Sequence, residues 1–264
     1  MEKDKVTFAI VVSNQIKAVL DYLEKENIKL SSLKKLVSSC YTLSLETKKR
    51  FLDRVKCRFY ECYGTSEVAI ATNIEFQENS KKLESVGKRL PYVDIKILDE
   101  QQRPLPINQE GEIAVKTITL FSGYYKNKKA TKESFWKGYF RTGDVGRLDR
   151  EGFLFYLGRE KDMIKYGAVS VYPIDIEDVL MKFPGVKECA VIGVEDNYLG
   201  EVPLAAIVAN ERIKKKELRK FCREHLADYQ VPVDFVFIDE IPKSALGKVQ
   251  KFKLKEALLS ENQV

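Results

Sequence analysis

Residues 6–12 form an uncharged, largely apolar run that passes directly into Ile16, Val19, Leu20 and Leu23 at helical spacing. A strand of buried character feeding at once into an amphipathic helix commits the start of the chain to an α/β arrangement. Ser13 stands between the two and is expected to cap the helix. Leu36 and Val37 suggest another short strand. Ser44 suggests a second cap, for a helix carrying Leu45, Phe51, Leu52 and Val55. Arg58, Phe59 and Tyr60 then lead into the string YGTSE at residues 63–67.

The pattern changes after residue 79. Residues 93–97 alternate with period two, and so do Ile113 and Val115 after Gly111. Phe153, Leu154 and Phe155 follow a DREG turn at 149–152, and Pro104, Pro106, Gly123, Gly138, Gly143 and Gly146 punctuate the stretch. A small β-meander or β-barrel is expected here. From residue 159 the spacing reads as α+β. Ile176, Val179, Leu180 and Phe183 form a helical stripe stopped by Pro184 and Gly185. Residues 189–194 and 203–209 read as buried strands, and Leu218, Phe221, Cys222 and Leu226 as a second helical stripe. Residues 235–238 read as a strand before the loop 242–248. The expected domains are 1–79, 80–158 and 159–264, with the clearest boundary near 158–161.

With 44% hydrophobic and 32% charged residues among 264, the chain is neither disordered nor of low complexity. The uncharged stretch 6–16 falls short of the roughly 20 apolar residues of a membrane-spanning helix, and no signal peptide is expected. A net charge of +6 suits a soluble protein that handles anions and does not by itself indicate nucleic acid. Cys40, Cys57, Cys62, Cys189 and Cys222 include no CxxC, and there is one histidine. Reduced thiols, a cytoplasmic setting and no zinc site are expected. His225 reads as half-buried on an apolar helix face, residues 214–220 as a solvated helix start, and Trp136 as barrel packing.

Taken singly, YGTSE reads as a surface turn and Asp144 as a cap on the turn at Thr142 and Gly143. Arg159 reads as a surface ion pair, and Lys161 and Lys248 as solvated lysines. Six strings in order change this: YGTSE (63–67), GEIAV with GYY (111–115, 123–125), FRTGD (140–144), GREKDMIKYG (158–167), VYPIDIE (171–177) and PKSALGK (242–248). In that order they resemble the adenylate-forming superfamily of acyl-CoA synthetases, luciferases and peptide-synthetase adenylation domains. SVGKRLP (85–91), KNKKATKESF (126–135) and GFLFYLGR (152–159) make the acyl-CoA synthetase, or fatty-acid–CoA ligase, branch the best fit. The resemblance covers essentially this whole chain but only the second half of the family's. The family's upstream phosphate loop has no counterpart here, which leaves a gene fragment or one half of a split enzyme as readings.

The resemblance implies the tail of a large N-terminal α/β domain, a small β-barrel subdomain and a separate, mobile C-terminal α+β domain. It implies that a fatty or aryl acid attacks ATP to give an acyl-adenylate, from which the thiol of CoA displaces AMP. Glu67 would be a Mg²⁺ ligand. Thr65 and Ser66 would offer hydroxyls to phosphate, with Gly64 in the same string, and Tyr63 would stack on adenine. Asp144 would accept from the ribose diol, Arg159 would donate to ribose or phosphate, and Lys161 would be the hinge. Lys248 would stabilise the adenylation transition state. Gly167 and Ala168 would line the thiol's path. Ser38, Ser39, Cys40 and Tyr41 align with the adenine strand, and Lys251 stands where the family has Arg. No transmembrane segment and no nucleic-acid partner are expected, the partners being small-molecule substrates and a missing N-terminal half. A non-catalytic nucleotide- or partner-binding remnant is the alternative. A basic nucleic-acid-binding module lacks the aromatic-interleaved strand it would need.

The family's second glycine is Ala168 here. If the thiol's path runs against this backbone, one extra methyl costs on the order of 1–3 kcal/mol. Ala168→Gly is then expected to speed thioester formation, or lower the KM for CoA, in an enzyme completed with the upstream half. Adenylation should not change. Stopped-flow traces of the two half-reactions check this, and equal thiolation rates dismiss Ala168 from the path.

Overall fold

Strand and helix alternate from the start because each apolar run ends where a polar, helix-forming stretch begins. The computed structural model describes residues 1–39, 43–78, 80–244 and 247–261, side chains at 13, 14, 80, 260 and 261 excepted. The chain divides into two compact units, Met1–Leu157 and Gly158–Val264.

In the first unit β1 (Phe8–Val12) runs straight into α1 (Ser13–Lys25), followed by β2 (Lys35–Ser39), α2 (Leu45–Arg54) and β3 (Arg58–Thr65). β1, β2 and β3 pair in parallel, as helical crossovers require. The residue before α1 is Val12, which brings no side-chain acceptor, so the cap expected from Ser13 is absent and Ser13 is itself helical. Ser44 does cap α2, accepting from the Thr47 amide. Ile16, Leu20 and Leu23 of α1 and Phe51 of α2 pack with Phe59, Ile74 and Phe76 into one core.

β4 (Ala69–Glu75) returns antiparallel to β3 and pairs with β5 (Gly87–Arg89). Then come β6 (Val93–Leu98), β7 (Gly111–Thr117), the short α3 (Lys128–Glu133), β8 (Phe135–Trp136), β9 (Tyr139–Leu148) and β10 (Phe153–Arg159). The DREG turn forms as expected: Gly152 donates to the Asp149 carbonyl at 3.0 Å with φ +79°, which favours glycine. The expected barrel does not form. β5 pairs with β4 on one side and β10 on the other, giving a ten-stranded sheet in the order β1-β2-β3-β4-β5-β10-β9-β7-β6, with β8 paired to β9 off this path. Among the described residues no pairing closes β6 back onto it. The strands after residue 79 extend the preceding sheet because β5 takes both of its edges. Trp136 is half-buried beside Tyr139, at 5.6 Å between ring centres.

The second unit begins with the hairpin β11 (Ile164–Tyr166) and β12 (Val169–Val171), then α4 (Pro173–Leu180). The long antiparallel pair β13 (Val186–Asp196) and β14 (Gly200–Ala209), α5 (Lys215–His225), β15 (Asp234–Phe237) and α6 (Lys251–Glu261) complete it. α4 stops at Leu180, so Phe183 reaches the same core from beyond the helix. His225 ends α5 and is exposed, not half-buried: its ring lies 4.3 Å from Phe221 and its Nδ1 2.9 Å from the Phe221 carbonyl. Among the described residues no helix is long and apolar enough to cross a membrane.

One polar contact lies at the centre of the first unit. Lys48 of α2 and Glu61 of β3 are each 1% exposed and meet at 2.7 Å. Lys48 also donates to the Leu83 carbonyl at 2.6 Å, and Glu61 accepts the Leu43 amide at 3.0 Å. Burial pushes the Glu61 carboxyl up and the Lys48 ammonium pulls it back. Removing one member strands a buried charge, so Lys48→Met should cost about 3–5 kcal/mol at neutral pH, and Lys48→Met with Glu61→Gln much less. With its counter-ion gone, Glu61 in the single variant holds a proton that the unfolded chain releases. Stability should therefore be highest below the ordinary carboxylate pKa and fall as pH rises through the folded value. Urea melts of both variants across pH 4–8 check this: equal, pH-independent losses exclude it.

Candidate active site

The strings of the first unit meet at the far end of β3. Its pairing with β4 is irregular between Tyr63 and Gly64. There the two backbones approach so closely that a Cβ on Gly64 would lie 1.8 Å from the Ala69 carbonyl oxygen, which only glycine tolerates. Tyr63 shares the inward face of β3 with Phe59 and Glu61 and is 8% exposed. Its hydroxyl donates to Asp144 Oδ2 at 2.8 Å and lies 3.4 Å from Thr142 Oγ1. Burial, then the charge of Asp144, push the Tyr63 phenol well above its ordinary range, so it stays a donor. Asp144, on β9, is 3% exposed and is part of the strand, not a cap on a surface turn. Thr142 Oγ1 donates to the Ile113 carbonyl at 2.8 Å and accepts the Asp144 amide at 3.1 Å. Glu112 holds the same strand, accepting from Arg141 Nε at 2.6 Å and from the Gly143 amide at 3.2 Å.

Glu67 stands in the turn after β3. Its amide donates to Thr65 Oγ1 at 3.2 Å, its carbonyl accepts the Phe121 amide at 2.8 Å, and Tyr124 donates to its Oε1 at 3.0 Å. Thr65 is half-buried and Ser66 exposed. Tyr124 belongs to the GYY string, but its bond to Glu67 has no signal in the sequence because 57 residues separate the two. Tyr156, in the string GFLFYLGR, places its ring 6.0 Å from that of Tyr63. Among the described residues no three His, Cys, Asp or Glu side chains cluster as a metal cage. The Glu67 carboxylate is chemically compatible with a hard cation that takes one or two carboxylates and completes its shell with phosphate oxygens and water, as Mg²⁺ does.

The other residues singled out lie on four segments of the second unit. Arg159 is half-buried at the end of β10, and Lys161 is exposed in the turn Glu160–Asp162. Gly167 and Ala168 form the exposed tip of the β11–β12 hairpin, held where the Gly167 amide donates to the Leu199 carbonyl at 2.6 Å. Lys248 closes a tight loop. Ser244 donates its amide to the Lys248 carbonyl at 2.7 Å, and its hydroxyl accepts the Lys248 amide at 3.1 Å. The Lys248 side chain is exposed. Of the adenine-strand residues, Ser38 and Ser39 end β2, whereas Cys40 and Tyr41 lie outside the described residues. Cys57, Cys62, Cys189 and Cys222 are free thiols, and burial raises Cys57, Cys62 and Cys222 to about 11.

Residues 1–125 match the AMP-binding enzyme family and residues 175–248 the AMP-binding enzyme C-terminal domain. A 2-succinylbenzoate--CoA ligase of Listeria monocytogenes serotype 4b (strain F2365) is 45% identical over 197 residues, 74% of this chain and 40% of its own. The Bacillus subtilis (strain 168) protein YdaB is 36% identical over 97% of this chain and 51% of its own. The chain thus spans about half the length, or less, of the curated relatives it matches. Among solved structures, the amide bond synthetase McbA from Marinactinospora thermotolerans superposes with a TM-score of 0.89 at 30% identity, over 97% of this chain and 54% of that one. The o-succinylbenzoate CoA synthetase (MenE) from Bacillus subtilis, in complex with its acyl-adenylate intermediate OSB-AMP, gives 0.88 at 30% identity, over 96% and 51%. Two family matches, the first containing Tyr63 and the second ending on Lys248, together with relatives at 36–45% identity and the fold shared at this level, carry one conclusion: the chain belongs to the AMP-binding, adenylate-forming enzyme family.

Proposed function

We propose that this chain supplies the nucleotide-handling part of an ATP-dependent acid–CoA ligase and works with a segment equivalent to the remaining half of its relatives. The observation that carries the reading is the buried 2.8 Å bond between Tyr63 and Asp144, which joins two strings 81 residues apart. In the reading, the Tyr63 ring faces adenine, Asp144 accepts from the ribose diol and Arg159 donates to ribose or phosphate. Gly64, Thr65 and Ser66 approach the phosphates. Glu67 would hold Mg²⁺, which supplies charge neutralisation on the phosphates when bound. Lys248 reaches the α-phosphate as an acid carboxylate attacks it and pyrophosphate leaves. Gly167 and Ala168 then border the path by which the CoA thiol displaces AMP, with Lys161 as the hinge between the two half-reactions. The domains in this reading are 1–79, 80–158 and 159–264. An aryl or acyl carboxylic acid is the substrate class, in the cytoplasm. The exposed side chains of Phe8 and Ile10 on the outermost strand β1, 52% and 65% accessible, support the need for a further segment beside it.

Pyrophosphate exchange with a panel of carboxylic acids is expected to stay at background for this chain alone and to appear when the upstream half is supplied. Robust turnover by the chain alone removes the requirement, and silence with the upstream half present supports the non-catalytic remnant instead.

In the complemented enzyme, Lys248→Ala should slow adenylation by roughly 10²–10³. Thioester formation from preformed acyl-adenylate should be nearly unchanged. Equal losses in both half-reactions make Lys248 a structural residue.

A further inference from the structure

We propose that the Tyr63 hydroxyl is a positioning group, which fixes the Asp144 carboxylate in the orientation that takes the ribose hydroxyls. The inference rests on the assignment of Asp144 to ribose above and goes beyond it, giving the phenol oxygen a task separate from that of its ring. A carboxylate turns freely about its terminal torsion, which has broad minima, so a buried acid needs a fixed donor to hold one orientation. The Thr142 hydroxyl is directed elsewhere, donating to the Ile113 carbonyl at 2.8 Å and accepting the Asp144 amide at 3.1 Å. The Tyr63 hydroxyl stands 2.8 Å from Asp144 Oδ2 and 3.4 Å from Thr142 Oγ1, so the shorter, charge-assisted bond goes to the acid. Both partners are buried, Tyr63 at 8% and Asp144 at 3% exposure, which shields the bond from competing water. The inward alternation of β3 sets where the ring enters, and the Thr142 hydroxyl sets where the Asp144 backbone lies. One side chain would thus present its face to the base and its oxygen to the group that grips the sugar.

The test is a binding cycle with the full chain, AMP and 2′,3′-dideoxy-AMP, measured by calorimetry for wild type, Tyr63→Phe, Asp144→Asn and the double variant. Wild type should prefer AMP. Tyr63→Phe should leave dideoxy-AMP binding within about twofold and weaken AMP binding roughly tenfold, the loss of one bond to a charged group. In the Asp144→Asn background the same change should alter the preference no further. Because each preference is a ratio within one protein, partial loss of folded material cancels. If Tyr63→Phe keeps the wild-type preference, or weakens both nucleotides equally, the hydroxyl is structural and the proposal fails while the ribose assignment stands. If wild type binds AMP no better than its dideoxy form, the ribose assignment fails and takes the proposal with it.

Discussion

The ion pair of Lys48 and Glu61 fixes the strand on which the first unit turns. A buried ion pair is costly to desolvate, and it holds only if every remaining polar atom finds a partner. Here Leu83 supplies a carbonyl to the ammonium, Leu43 an amide to the carboxylate, and the Phe76 ring lies 5.0 Å beneath Lys48. Phe59, Glu61 and Tyr63 alternate along β3 and are all buried. A slip of one residue would send all three to the other face. An apolar strand alone could accept such a slip by trading one hydrophobic residue for another. Glu61 cannot do so without leaving the partners that hold it on this face, the Lys48 ammonium and the Leu43 amide. The pair therefore specifies register more than it adds stability, and the register decides that Tyr63 points inward.

From that register the site follows. β1, β2 and β3 run parallel, so their carboxyl ends lie along one edge of the sheet, where open α/β sheets bind ligands. β3 passes that edge and folds back into β4 through a turn that carries Ser66 and Glu67. Asp144 arrives on β9, four strands along the same sheet from β3. The absence of a closed barrel matters here. A separate barrel would meet the α/β layer through side chains alone, whereas β5 binds the two by backbone hydrogen bonds to β4 and β10. The Tyr63–Asp144 contact thus spans a continuous hydrogen-bonded sheet.

Local chemistry was legible in the sequence wherever a short pattern sufficed. The strand-helix alternation of the first 65 residues, the Ser44 cap and the DREG turn all read correctly, because each depends on residues within one turn of each other. The helix α6 went unread: its two buried anchors, Leu254 and Leu258, sit among lysines that mask the apolar stripe. His225 was misjudged because helical spacing assigns it a face but cannot say that the helix ends there. The barrel was misjudged because alternation reports strands and not which edges pair. Long-range polar contacts, such as Tyr124 with Glu67 and Lys48 with Glu61, have no local signature at all. The strings YGTSE and FRTGD gain meaning only in their order with the other four, and their meeting in space cannot be derived from spacing.

If Lys251 stands where the family carries Arg, as the resemblance implies, its contacts show how that departure is absorbed. Lys251 donates to Glu177 Oε1 at 2.6 Å and to the Val191 carbonyl at 3.0 Å. These two acceptors come from different elements, α4 and β13, and do not present the paired oxygens that make a planar guanidinium superior. An ammonium serves them as well. Lys251 opens α6 and pins the chain three residues after Lys248, while Ser244 pins it before. The Lys248 backbone is thus held on both sides while its side chain remains exposed. For a residue proposed to meet a transient charge, this division is the useful one: a fixed base removes most of the search, and the long exposed stem leaves the ammonium free to reach.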